Sequence, residues 1–116
     1  MIEEEVFNAI NELFALKVKP DALLTASDRL TTSTINILSQ MKIKVPAQVA
    51  VVGFTNSVNA GIFNPSLTAI VQSAFEMGKM ATEMLIQIIE SKRNITQFDK
   101  IIVDTQLIVR ESSIKK

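Results

Sequence analysis

The sequence predicts an α/β fold, a largely parallel sheet flanked by helices. Stretches of helical period alternate with short β-branched runs along the chain, the pattern of strands joined by crossover helices. The clearest strand, VAVVGF at 49–54, is apolar without alternation, so both of its faces should be covered, as in a parallel sheet. The composition is globular, with 47% apolar and 21% charged residues in 116, enough for one modest domain.

The elements follow in order. The spacing of Val6, Ile10, Leu13 and Phe14 makes one apolar stripe and predicts a helix over 2–16. Glu3, Glu4 and Glu5 fall in its first turn, where the helix dipole favours negative charge; that role accounts for them better than a metal or acid–base site. Pro20 ends the connection, and ALLTA at 22–26 suits a buried strand. A second helix is expected at about 29–41, with Leu30, Thr34, Ile37, Leu38 and Met41 on its apolar side and Ser27 or Asp28 as N-cap. Val45-Pro46 leads into the strand at 49–54. A polar loop over 55–66, closing in Asn64-Pro65-Ser66, precedes another strand, LTAIVQ at 67–72. The strongest helix is 73–91, with Ala74, Met77, Ala81, Met84, Leu85 and Ile88 at helical spacing. Gly78 is expected to mark close packing, Met77, Met80 and Met84 to fill core or interface, and Ser91-Lys92-Arg93-Asn94 to end the helix. The β-branched tail KIIVDTQLIVRES reads as one or two strands with Asp104 as a break.

Several function classes drop out. Lys+Arg and Asp+Glu are equal at 12 each, whereas a nucleic-acid module of this size normally carries a basic excess. Lys115-Lys116 is too short to count as a basic patch. The chain has no Cys and no His, which removes disulfides, thiolate zinc sites and histidine-based nucleophile systems. There is no G-x-G-x-x-G and no P-loop to cradle a nucleotide. No segment reaches the roughly 18 consecutive apolar residues of a membrane span. The acidic start MIEEEVFNAI is unlike a signal peptide, so the protein is read as cytoplasmic. Neither an enzyme nor a cofactor is expected.

Two strands end in polar clusters, Ser27-Asp28-Arg29 after the first and Thr55-Asn56-Ser57 after the second. Ligands of open parallel sheets bind outside the carboxyl ends of the strands. If these strands are neighbours, hydroxyl, amide and carboxylate groups share one rim, which suits a polyol or sugar. The alternative is purely structural: Ser and Asp as the N-cap of the next helix, Thr-Asn-Ser as a turn.

The segments PDALLTASDRL, MKIKVPAQVAVVGFTNS, FNPSLTAIVQSAFEMGKMATEMLI and QLIVRESS, taken in this order, resemble the C-terminal part of the LacI/GalR family of bacterial transcription regulators, from about Phe7 to Ser113. The resemblance implies a Rossmann-like lobe of a periplasmic-binding-protein-like type I fold, here incomplete. Family members join a DNA-binding helix-turn-helix to a two-lobed core that takes a small effector, usually a sugar or nucleobase, between its lobes. The chain would be the last third of such a protein, without the helix-turn-helix or most of the first lobe. Operator DNA would then be reached only through the missing N-terminal domain. Residues 1–66 would be the second lobe, 67–95 the crossover strand and helix of the first lobe, and 96–116 the returning tail. Effector contacts carried over from the family fall on Ser27, Asp28, Thr55 and Gln72. The family often has an acid, within GFD or GYD, where this chain has Thr55. Threonine cannot make a bidentate carboxylate contact with sugar hydroxyls, and Asn56 offers an amide donor and acceptor instead. A homodimer interface would involve Leu30, Thr34, Ile62 and Phe63, unless Leu30 and Phe63 face their own core. Without a first lobe, the apolar stripe of helix 73–91 has no partner from its own chain, and self-association is expected. A transport-type sugar-binding protein would share this core and is the alternative reading.

Overall fold

The first helix, α1 (Ile2–Ala15), carries its three glutamates in the first turn and buries Val6 and Ile10. It is followed by β1 (Ala22–Thr25), α2 (Asp28–Gln40), β2 (Ala50–Phe54), a short 3-10 turn at Val58–Gly61, β3 (Thr68–Gln72), α3 (Ala74–Glu90), β4 (Thr105–Ile108) and a second 3-10 turn at Glu111–Ser113. The structure is a computed structural model that describes residues 2–56, 58–91 and 99–115. Met1, Ser57, the 92–94 segment expected to end the long helix, and Lys116 lie outside the described residues.

The fold is α/β, as the alternation requires. The strands form a 4-stranded sheet in the order β1-β2-β3-β4, with β1–β2 and β2–β3 parallel. The tail supplies one strand, β4, which begins directly after Asp104. The chain divides into two compact units, Met1–Val71 with Gln106–Lys116, and Gln72–Thr105.

In the first unit, one apolar cluster joins Val6 and Ile10 of α1, Ile37 and Leu38 of α2, Val49 and Val51, and Leu67 and Ala69. Burial of each such aliphatic side chain contributes about 1.5–3 kcal/mol before entropy is counted. The buried side of α2 is Thr31, Thr34, Ile37 and Leu38, the expected stripe except at its start: Leu30 is 36% exposed, and Thr31 takes the inward place. The reason is polar. The Thr31 hydroxyl donates to the Ser27 carbonyl at 2.7 Å and pairs with the Thr25 hydroxyl at 2.7 Å, so its oxygen is satisfied inside. Gly53 on β2 makes room for it; a Cβ there would stand 2.8 Å from Thr31 Cγ2.

The C-terminal tail is tied to the same unit by hydrogen bonds. Ser112 Oγ donates to the Val51 carbonyl at 2.6 Å and accepts from the Thr68 amide at 2.8 Å. Arg110 Nη1 donates to the Leu67 carbonyl at 2.7 Å, and Glu111 Oε2 accepts from both the amide and the hydroxyl of Ser66. The segment VRESS therefore bridges β2 and the start of β3.

In the second unit, α3 forms over the expected span but buries none of its residues. Among the described residues Gly78 is not a packing contact, contrary to expectation: a Cβ placed on it meets none of them within 4 Å. Met77, Met80 and Met84 line a hollow of about 490 Å³ with Ile101 and Val103.

Candidate functional site

The parallel register fixes where the two polar clusters emerge. Thr25 pairs with Gly53, and Phe54 pairs with Ile70, so Ser27-Asp28 and Thr55-Asn56 leave the sheet at the same carboxyl edge. The structural reading of Ser27 holds directly. Ser27 is the N-cap of α2, with an extended backbone, and its Oγ accepts from the Leu30 amide at 3.3 Å. Asp28, the first residue of α2, reaches across to the end of β2. Its Oδ1 accepts from the Thr55 hydroxyl and, at 3.1 Å, from the Asn56 amide. The two clusters thus form one continuous polar rim.

Burial separates the members of this rim. Thr55 is 4% exposed, whereas Ser27, Asp28 and Asn56 are exposed. The Thr55 amide donates to the Ile70 carbonyl at 3.1 Å, which extends the ladder one residue past β2 and turns the side chain under Asp28. Beside Asp28, the surface forms a shallow hollow of about 310 Å³ with Arg29, Thr32 and Ser33.

The other expected residues are placed less uniformly. Gln72 is the last residue of β3, half-buried, and belongs to the second unit. Of the four expected dimer residues, Ile62 is 79% exposed and Leu30 36%, so Leu30 does not face its own core. Phe63 is half-buried against the core cluster, and Thr34, at 5% exposure, is enclosed within its own unit and offers almost no surface to a partner. Sequence reasoning missed Thr31 and Gly53, which pack beneath the rim, and Ser112, which joins β2 to the start of β3. Of these, only Gly53 gave a signal, as a glycine inside the apolar VAVVGF run. Among the described residues, no group of three or more Asp or Glu is arranged to hold a metal ion, and no helix is long and apolar enough to cross a membrane.

A parallel sheet with a polar rim at its carboxyl edge, tied to an N-capped helix, defines an open α/β lobe. Residues 2–113 match the periplasmic binding protein-like domain, and the chain belongs to that family. Among curated proteins, it is 32% identical over 108 residues to the HTH-type transcriptional regulator RegA of Clostridium saccharobutylicum, covering 93% of this chain and 32% of that protein. It is 33% identical over 109 residues to the HTH-type transcriptional repressor PurR of Edwardsiella ictaluri, covering 94% of this chain and 31% of that one. Among solved structures, a LacI-type transcription regulator from Bifidobacterium animalis subsp. lactis superposes with a TM-score of 0.80 at 29% identity, over 97% of this chain and 40% of that chain. A LacI family transcriptional regulator from Lactobacillus casei with bound sucrose gives a TM-score of 0.72 at 27% identity, over 96% and 40%. The chain therefore spans about a third of the length of the curated relatives it matches. The resemblance to LacI-family regulators holds in both sequence and fold, and these relatives are transcription regulators.

Proposed function

We propose that this chain is the effector-binding and dimerisation region of a LacI-type transcription regulator. The observation that carries the reading is the rim at the carboxyl edge, where Asp28 of α2 joins Thr55 and Asn56 of β2, in a chain whose family match runs over residues 2–113. The effector is a small, hydroxyl-rich molecule of the sugar class. A sucrose-bound relative of the same fold supports that class, and exposed carboxylate, amide and hydroxyl groups on one rim supply both donors and acceptors. The region performs no chemistry. Effector binding favours one arrangement of the whole protein over another, and the difference in affinity between the arrangements is what reaches the operator.

Operator contact belongs to a part of the protein outside these 116 residues, consistent with the equal count of 12 basic and 12 acidic side chains here. The regulator is cytoplasmic and works as a homodimer, with the exposed Leu30 and Ile62 in the interface. The test is to read the gene upstream of the Met1 codon, in frame, and then to measure operator binding by the encoded protein with and without added sugars. The reading predicts a basic helix-turn-helix and a sugar-dependent change in operator affinity. A signal peptide in place of the DNA-binding segment, or an operator affinity indifferent to every sugar and nucleobase tried, would overturn it.

A further inference from the structure

Thr55 lies one residue beyond β2, yet it is buried to 4% exposure while its neighbours on the rim are open to solvent. A buried hydroxyl must find a hydrogen-bond partner, and this one donates to Asp28 Oδ1. The Asn56 amide donates to the same oxygen at 3.1 Å. Asp28 itself is exposed. A lone exposed aspartate samples several rotamers, and ordering it on ligand binding costs side-chain entropy. Two donors converging on one carboxylate oxygen remove that freedom beforehand. They also leave the carboxylate with one open side: among the described residues, Oδ2 has no hydrogen-bond partner.

We infer that Thr55 is a positioning residue and not an effector contact. It locks the Asp28 carboxylate so that Oδ2 stands as a single, preset acceptor on the rim. The inference rests on the reading that this rim takes the effector, and it narrows the class: the effector donates to residue 28 through one O–H or N–H, and a pair of vicinal hydroxyls is not chelated there. The geometry gives the hydroxyl of Thr55 no route to a ligand, because its proton is committed to Oδ1 and its side chain is covered.

The experiment uses the 116-residue chain with Thr55→Val, which keeps the shape and removes the hydroxyl, Thr55→Ser, which restores it, and Asp28→Ala. The first readout needs no ligand. Thr55→Val should speed hydrogen exchange of the Asn56 amide several-fold and broaden the Asp28 rotamer distribution by NMR, while Thr55→Ser should leave both as they are. Unchanged exchange and an unchanged rotamer in Thr55→Val would overturn the positioning role, whether or not the rim binds sugars. The second readout is titration with sucrose, D-glucose, D-galactose and D-ribose. For each sugar that binds, Thr55→Val should weaken affinity by up to roughly tenfold, the size expected when one side chain must be ordered on binding, with recovery in Thr55→Ser. In the Asp28→Ala background, Thr55→Val should have no further effect. An added loss in that background would mean that Thr55 touches the sugar directly and would sink the inference. If none of the four sugars binds, the functional reading is weakened, and the exchange measurement still decides the role of Thr55.

Discussion

The two units of this chain use apolar side chains in opposite ways. The unit formed by Met1–Val71 and Gln106–Lys116 encloses a cluster from two helices and two strands, with Ile37 and Leu38 each 1% exposed and Val51 at 0%. The unit Gln72–Thr105 contains a helix of 17 residues that encloses none of them. Its apolar residues are not confined to the expected stripe of Met77, Met84 and Ile88. Phe75, Ile86 and Ile89 form a second stripe on another side, at 80%, 47% and 71% exposure. A helix that is apolar on more than one side has a sequence written for enclosure. The first unit therefore owes its order to its own packing, and the second presents surface that its own described residues do not cover.

That contrast is open to direct attack, beginning with the largest effect. Leu38→Ala in the first unit should lower unfolding free energy by about 3 kcal/mol in urea titration, as expected for an enclosed leucine. Leu85→Ala in α3, where the side chain is 55% exposed, should change it by no more than about 0.5 kcal/mol. Equal costs at the two sites would erase the distinction. Gly53→Ala comes next, at about 2 kcal/mol, because the new methyl meets a Thr31 that is held in place by hydrogen bonds on both sides. Ser112→Ala should cost about 1–2 kcal/mol, since it strips the Val51 carbonyl and the Thr68 amide of their buried partner. The smallest effect has the opposite sign. Gly78→Ala, with open space around the position, should stabilise by about 0.5–1 kcal/mol through helix propensity alone. Destabilisation by Gly78→Ala would mean that a close packing partner exists after all. Light scattering supplies a companion measurement. The chain should self-associate as concentration rises, and charged substitutions at Phe75 and Ile89 should suppress association more than the same changes at Leu30 and Ile62. A clean monomer at high concentration would contradict this.

Much of the fold was legible because periodicity and end signals agreed. The unbroken VAVVGF run, the Ser27 cap and the span of α3 all follow from patterns local in sequence. The inward side of α2 was not legible, since hydropathy ranks Leu30 above Thr31 and takes no account of a hydroxyl satisfied by Ser27 and Thr25. Gly78 was misjudged for a related reason: glycine in a helix signals close approach only when another element is nearby, and that information is not local. At the site, two polar clusters on one edge follow from strand order and chain direction. The burial of Thr55 beneath Asp28 depends on one extra ladder hydrogen bond, Thr55 to Ile70, which only the register reveals. VRESS ends a tail that reads in sequence as strand, and in the structure it serves as a clasp on β2 and β3.

The central claim is that the first unit carries the effector rim and the second does not. It is tested most directly by following backbone amide shifts of the isotope-labelled chain during titration with sucrose and D-ribose. The account predicts saturable shifts concentrated at residues 27–28 and 55–56, abolished by Asp28→Ala. Shifts confined to the methionine-lined hollow around residues 77–84 and 99–103, or rim shifts indifferent to Asp28→Ala, would contradict it.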